Sequence, residues 1–417
     1  MSNVLITGRE RTAGDVTILL PESKSLAARA LMASAYAGEA IPEPSVKDCG
    51  DVAALKGALG ALQNGARRTD IGSSGTAMRF IIPYIAATAR ESVELWGSEQ
   101  VKRRPVGVIV DTMRLLGADI EYAGAEGHLP LLIGPARLHG GSVRLDMTES
   151  SQYASALMLC APTLPGGIRC DFDGKPVSRP YLEMTAAVMR RCGIDVALSR
   201  EGFRVRGGKY DVPSGLNMER DWSAATCWLE AASLLPAGIR LHLPGLTAPE
   251  MSCQGDARYA GLFRRLGVIT ISGEEGVIIE KEKETRLPEK AELNLADYPD
   301  GAPAAACALC AAGVPFRLSG LSHLVVKESD RLERISNILR QFGYSVTADG
   351  ESLRWDGVRL PAPQRVIADP KADHRIAMAF AIMATPERSV QLCDAECVAK
   401  SYPGFWDELE KLGYRVK

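Results

Sequence analysis

The apolar positions of this chain fall into two kinds of segment that take turns. One kind is rich in alanine and apolar nearly all the way round. It begins at "SKSLAARALMASAYAGEA" (residue 23) and returns at "TAMRFIIPYIAATARESVELWG" (76) and "SQYASALMLCAPTLPGGIRCDFDG" (151). Three more copies follow: "DWSAATCWLEAASLLPAGIRLHLPG" (221), "DGAPAAACALCAAGVPFRLSG" (300) and "DHRIAMAFAIMATPERSVQLCD" (373). A helix with no polar face has to be buried. Each copy breaks at Gly or Pro, and most then enter a short alternating strand. The second kind is amphipathic and ends on glycine before another strand, as in "VDTMRLLGADIEYAG", "TAAVMRRCGIDVALS", "YAGLFRRLGVITIS", "LERISNILRQFGYSVTADG" and "WDELEKLGYRV". Glycine there suits the left-handed residue that closes a helix. Six copies at a spacing of roughly 50 to 80 residues predict compact α+β units rather than a solenoid. The 417 residues exceed what one hydrophobic core serves, so the pattern predicts two domains of three units.

Polar residues gather where the buried helices begin. In "PESKSLAARALMASAYAG", residues 21 to 38, two serines flank Lys24 and Arg29 follows. A helix start leaves N–H groups unsatisfied and carries partial positive charge. Lysine, arginine and serine beside it make a seat for phosphate or carboxylate. Several such starts directed at one place would add their positive ends there.

Composition narrows the choice. A net charge of −2 argues against general nucleic-acid binding, which needs a basic face, and leaves small anionic substrates open. No apolar run reaches the ~18 residues of a membrane span, and "MSNVLITGRERTAG" carries charges where a signal peptide needs an apolar core, so no membrane association and a cytoplasmic location are expected. The ten cysteines lie mostly in apolar runs and read as buried small hydrophobes, including the lone CxxC at Cys307 and Cys310. The five histidines form no HxxxH or HExxH pattern, and no GxxxxGK[ST] loop occurs. Neither a metal nor a cofactor is expected.

The motifs at the helix starts fall in a recognisable order: "SKSLAAR" (23), "GSSGTAMR" (72), "RRPVG" (103), "ESSQ" (149), "SRPY" (178), "YPDGA" (298), "KESDRL" (327), "ADHRIAM" (372) and "AKSYPGF" (399). Over essentially the whole chain this set resembles the 5-enolpyruvylshikimate-3-phosphate synthase family of enolpyruvyl transferases. The resemblance implies an α/β (α+β) fold of two domains, each of three βαβαββ units, with the active site in the interdomain cleft. It places the crossovers near residues 17 and 219, giving one domain of 1–17 plus 219–417 and another of 18–218. It also implies transfer of the enolpyruvyl group of phosphoenolpyruvate to the 5-hydroxyl of shikimate 3-phosphate, with phosphate released, in aromatic amino acid biosynthesis. A monomer acting on these two small molecules, without nucleic acid, is expected.

Carried over residue by residue, the resemblance makes Asp300, Glu328 and Lys24 the groups that move protons. Lys24, Ser25, Arg29, Ser150, Ser151, Gln152, Ser178, Tyr181, Asp300, His323 and Lys327 would line the shikimate 3-phosphate site, Arg29 on its carboxylate. Lys24, Gly75, Arg104, Gln152, Glu328, Arg331, His374, Arg375 and Lys400 would hold phosphoenolpyruvate. Two anionic substrates need that many cations, and arginine forks suit both phosphate and carboxylate. A bare backbone at Gly75 would allow close approach. Read without the resemblance, Asp300 is also a plausible helix cap and Glu328 an (i, i+3) partner of Arg331. Arg79 lies inside its helix and reads as structural; His374 reads as a hydrogen-bonding neighbour of Arg375 rather than a catalyst.

The chain departs from the family pattern at Glu22 and Arg220, where glycines are usual, and at Ser73, Phe80 and His323. Those departures keep open a paralogue that binds a sugar phosphate without turnover, which a phosphate-release assay separates from an enzyme. The sister transferase acting on UDP-N-acetylglucosamine carries a cysteine before its "RPV" arginine and an asparagine after its first lysine. Here "WGSEQVKRRPVG" has no cysteine and the lysine is followed by serine. An RNA-processing relative of the same small-unit fold is disfavoured by the charge.

Overall fold

The computed structural model describes residues 3–8, 14–147, 151–174, 178–214, 216, 219–325 and 330–417. The chain divides into two compact units: a terminal unit of Met1–Ser23 with Glu219–Lys417, and an inserted unit of Lys24–Met218. The first boundary lies at Ser23 rather than near residue 17, because residues 18–23 are committed to the terminal unit. Ile18 and Leu20 are buried in its core. The Ile18 amide donates to the His242 carbonyl and the Ser23 amide to the Glu219 carbonyl, both at 2.8–2.9 Å. Glu22 is exposed, and its backbone bridges antiparallel to that of Arg220, so the two departures from glycine face each other within one unit.

The inserted unit contains α1 (Lys24–Ala37), α2 (Gly50–Gln63), α3 (Gly75–Thr88), α4 (Glu99–Lys102), α5 (Gly107–Leu115), α6 (Ser151–Cys160) and α7 (Pro180–Arg191). As its composition requires, α3 is buried nearly all round and packs on α2, α5 and α6; α6 in turn packs on α7. Two sheets share one plan. In the first, Arg68–Asp70 and Val93–Trp96 run parallel, and Leu131–Gly134 and Asp119–Tyr122 continue the sheet antiparallel. The second repeats this with Gly141–Asp146, Ile168–Asp173, Gly202–Val205 and Val196–Leu198. A parallel pair needs a helical crossover and an antiparallel pair only a short turn, so the pattern is the geometric record of β-α-β followed by α-β-β.

The terminal unit holds α8 (Trp222–Leu234), α9 (Tyr259–Arg264), α10 (Ala302–Ala312), α11 (Arg331–Gln341), α12 (His374–Ile382) and α13 (Phe405–Lys411). Helices α8, α10 and α12 pack on one another and form its centre. Three further sheets have the same strand order; in one of them Val4–Thr7 lies between Ser389–Leu392 and Arg415–Val416. The glycines that close the second helices, Gly117, Gly193, Gly267, Gly343 and Gly413, all have positive φ, as the C-cap reading requires. Among the described residues no helix is long and apolar enough to cross a membrane.

Where the repeat predicts six sheet-bearing units, five four-stranded sheets are present among the described residues. Among the described residues the first of these repeats contributes α1 and α2 but no sheet of its own. The strand that precedes α1, Val16–Thr17, belongs to the terminal unit and pairs there with Arg240–Pro244. The segment between α1 and α2 carries Pro42 and Pro44, which cannot donate to a strand ladder.

One buried charge-bearing group lies apart from any site. Glu230 on α8 is wholly buried, and neither carboxyl oxygen has a hydrogen-bond partner among the described residues. Burial pushes its pKa well above the ordinary carboxylate range, so the folded state holds it neutral. A folded pKa above the unfolded one means that stability is complete below the unfolded pKa, about 4.3, and falls as pH rises toward the folded value. Glu230→Gln should therefore gain stability relative to wild type between pH 5 and pH 8, with a slope of at most about 1.4 kcal/mol per pH unit. Urea unfolding at several pH values checks this; a pH-independent difference would contradict it.

Candidate active site

In the inserted unit the expected residues sit at the starts of four helices. Lys24 and Ser25 open α1, Gly75 opens α3, Ser151 and Gln152 open α6, and Tyr181 is the second residue of α7. Lys24 Nζ lies 3.0 Å from Asp51 Oδ2 in the first turn of α2, which fixes the ammonium and places a carboxylate at a positive helix end. Ser178 adopts a left-handed φ of 54° just before α7. Such backbone strain in a non-glycine residue persists only where the surroundings enforce it.

Gly75 and two arginines form the most crowded point. A Cβ on Gly75 would fall 2.3 Å from Arg104 Nη1 and 3.0 Å from Arg79 Nη1. Arg79 Nη1 donates to the Gly75 carbonyl at 2.9 Å and to Gln152 Oε1 at 3.3 Å, and its guanidinium lies over the Tyr153 ring. Two guanidinium groups thus stand over the start of α3, whose N-cap Ser74 accepts from the Ala77 amide. Guanidinium pairs beside free helix N–H groups suit an oxyanion with several oxygens.

Arg29, which the resemblance places on the substrate carboxylate, is held from several sides by the protein. It is 1% exposed, and all three guanidinium nitrogens donate to protein oxygens. Nε reaches Thr185 Oγ1 at 2.7 Å, Nη1 the Ser25 carbonyl at 2.7 Å, and Nη2 the Tyr181 carbonyl at 3.2 Å. The Phe80 and Tyr181 rings lie 5.4 and 5.8 Å from its guanidinium carbon. In this structure Arg29 is a buried strut joining α1, α3 and α7.

In the terminal unit the expected residues close into a charged network. Arg331 opens α11 and is 1% exposed. Its Nε donates to Asp373 Oδ2 at 2.7 Å and its Nη1 to Asp300 Oδ1 at 3.0 Å. Arg375 Nη2 lies 3.0 Å from Asp300 Oδ2, and its Nη1 donates to the Ser223 hydroxyl. Asp373 caps α12 by accepting from the Arg375 amide at 3.1 Å. Asp300 therefore bridges two arginines from the turn before α10 and does not cap that helix, whose N-cap is Gly301. Arg331, which sequence alone allowed on a surface helix, is in the interior. His374 opens α12 and His323 lies in the turn Ser322–Leu324, both buried. Lys400 ends the turn Ala395–Lys400 and is half-buried. Ser150, Lys327 and Glu328 lie outside the described residues.

Asp51, Ser223 and Asp373 join these sets without having been singled out from the sequence, and so does Arg79, which the sequence reading took as structural. Arg79 had a signal, because it follows Gly75 by four residues and a helix brings such a pair together. Asp373 had another, as an N-cap residue directly before the His-Arg pair. Asp51 and Ser223 had none, since only tertiary packing brings them to Lys24 and Arg375.

The fold is that of the enolpyruvyl transferases. EPSP synthase from Acinetobacter baumannii superposes with a TM-score of 0.75 at 21% identity, covering all of both chains. The enolpyruvyl transferase NikO from Streptomyces tendae gives 0.72 at 17% identity, covering 100% of this chain and 98% of that one. Sequence carries the assignment further. The family profile described as EPSP synthase (3-phosphoshikimate 1-carboxyvinyltransferase) matches residues 40–409. The 3-phosphoshikimate 1-carboxyvinyltransferase of Bacteroides fragilis is 36% identical over 404 residues, 96% of each chain. That of Methanoregula boonei is 30% identical over 434 positions, covering 98% of this chain and 100% of the relative. The chain belongs to the EPSP synthase family.

The crowding at Gly75 yields a test. The atoms nearest to a methyl group there are the guanidinium ends of Arg104 and Arg79, which must shift to admit it. Gly75→Ala should cost about 1 kcal/mol of stability. It should also weaken phosphoenolpyruvate binding by about tenfold or more, about 1.4 kcal/mol, measured by calorimetric titration. A large loss of stability with unchanged affinity would show that the glycine serves packing instead.

Proposed function

We propose that this chain transfers the enolpyruvyl group of phosphoenolpyruvate to the 5-hydroxyl of shikimate 3-phosphate and releases inorganic phosphate. The observation that carries the reading is the Asp300 carboxylate held between Arg331 and Arg375. A carboxylate fixed by two guanidinium groups at a helix start is a positioned proton acceptor amid groups that bind anions. Family membership supplies the substrates to which those groups correspond.

In the reaction so assigned, the 5-hydroxyl oxygen bonds to C2 of phosphoenolpyruvate and loses its proton to Asp300, while a proton is delivered to C3. The resulting tetrahedral ketal phosphate then collapses: the C2–O bond to phosphate breaks, a proton leaves C3, and the enol ether forms. Acid and base exchange roles between the halves, and atoms balance with the two substrates alone. Lys24, held by Asp51, and Glu328 are assigned the remaining proton transfers. Gly75, Arg104, Gln152, Arg331, His374, Arg375 and Lys400 are assigned to phosphoenolpyruvate. Ser25, Ser150, Ser151, Gln152, Ser178, Tyr181, His323 and Lys327 are assigned to shikimate 3-phosphate. Arg29 is assigned to the carboxylate of shikimate 3-phosphate, its guanidinium oriented by the Ser25 and Tyr181 carbonyls. A monomer is part of this assignment. A cytoplasmic location agrees with this assignment.

Phosphate release should require both substrates together, and either alone should give none. Asp300→Asn should lower kcat by roughly 10²–10⁴-fold, while KM for phosphoenolpyruvate does not rise, because removing a negative charge cannot weaken anion binding by electrostatics. Near-normal kcat in this variant would remove Asp300 from the chemistry. No phosphate release by the wild type would favour the non-catalytic, sugar-phosphate-binding alternative.

A further inference from the structure

The two guanidinium groups over Gly75 are carried by different segments. Arg79 stands in the second turn of α3, and Arg104 in the loop that follows α4. Both reach the place where a Cβ on Gly75 would sit. Like charges so placed repel, and their spacing has to be imposed by the protein. Tyr153, in the first turn of α6, is wholly buried and meets both arrangements. Its ring face lies beneath the Arg79 guanidinium, whose carbon is 5.2 Å from the ring centroid. A cation over an aromatic face is attracted to it. The Tyr153 hydroxyl donates to the carbonyl of Pro105, the residue directly after Arg104.

The loop of Arg104 has further ties of its own. The Arg104 amide donates to the Val101 carbonyl at 3.0 Å, and the Val106 amide to the Gly127 carbonyl at 2.7 Å. The Lys102 carbonyl accepts from His128 Nδ1 at 3.0 Å. Among these points stands Pro105, which has no N–H, so its carbonyl is its one polar backbone group. Tyr153 takes that carbonyl and thereby joins the loop to α6. The same turn of α6 holds Arg79 a second time, since Gln152 Oε1 accepts from Arg79 Nη1 at 3.3 Å. One helix start therefore places one guanidinium directly and the other through the backbone beside it.

We propose that Tyr153 is the positioning residue of Arg104. Its hydroxyl, acting through the Pro105 carbonyl, holds the Arg104 guanidinium at a fixed spacing from Arg79, which rests on the same ring. Tyr153 does not touch the bound anion in this scheme; it sets the fork that does. The proposal rests on the assignment of Arg104 to phosphoenolpyruvate made above, and two probes separate the one from the other.

Tyr153→Phe removes the hydroxyl and keeps the ring under Arg79. In turnover, KM for phosphoenolpyruvate should rise roughly five- to tenfold, with kcat changed by less than about twofold and KM for shikimate 3-phosphate unchanged. A merely structural tie would leave every constant alone or raise both KM values together, and either result overturns the proposal. A double-mutant cycle with Arg104→Lys adds a second reading. Lysine is a flexible point charge with no fork to aim, so in that background Tyr153→Phe should cost less than about twofold in KM for phosphoenolpyruvate. A full penalty there means that the hydroxyl does not act through Arg104 and overturns the assignment. Calorimetric titration with inorganic phosphate supplies the arm without turnover, and Tyr153→Phe should weaken its binding roughly five- to tenfold. If the wild type binds inorganic phosphate but not phosphoenolpyruvate, the substrate assignment has failed and the phosphate titration still judges the positioning. Unchanged phosphate affinity in Tyr153→Phe, or no phosphate binding by the wild type, overturns it.

Discussion

An α-helix without a polar face must be surrounded, and only its two ends are left for water or ligand. Helices α3 and α6 in one unit, and α8, α10 and α12 in the other, are of this kind. Packing them side by side gives each unit a core of small and branched side chains with little room for charge. Polar groups are then confined to the helix starts and to the residues just before them. Gly75, Ser151, Asp300, Asp373 and His374 occupy such positions. The placement of the chemistry follows from the burial of the helices, and the positive helix ends decide that it is chemistry of anions.

Charge brought to those ends has to be compensated, and here the compensation is built from side chains at fixed angles. Arg331 is almost wholly buried and meets Asp373 through two nitrogens and Asp300 through a third. Removing one partner from such a pair leaves the other uncompensated, at a typical cost of 3–5 kcal/mol. Each arginine is also pre-aimed, so its rotamers are already restricted when a substrate arrives, and the entropy of ordering it is met during folding. Lys24 with Asp51 follows the same rule in the inserted unit, whereas Arg29 is oriented by neutral oxygens such as that of Thr185.

Much of this is written in the chain at short range. Alanine-rich stretches without a polar face, glycines after the amphipathic helices, and the Asp-His-Arg and Ser-Lys-Ser triplets at helix starts are local signals, and the structure uses each where it stands. What escaped depends on contacts between distant segments. Asp51 meets Lys24 from 27 positions away, and Ser223 meets Arg375 from 152 away. Arg29 was named as a ligand group through the resemblance alone; its burial against Phe80 and Tyr181 was decided by the packing of α1 on α3 and α7. That the first repeat has no sheet among the described residues was half legible, in its prolines, and half not, because the strand before α1 belongs to the terminal unit.

The pairing of Val4–Thr7 with Ser389–Leu392 and Arg415–Val416 has a consequence for the order in which the protein is made. A ribosome releases the chain from its N-terminus, so the first strand emerges before either of its neighbours exists. The inserted unit, from Lys24 to Met218, is complete long before translation ends and has every one of its own strand partners in hand. The terminal unit cannot close that sheet until its last residues leave the exit tunnel. Domains generally fold as units during synthesis, and contacts between distant positions slow the process. Birth of this protein is accordingly staggered: the middle of the chain settles first, while its opening residues wait nearly four hundred positions for their partners.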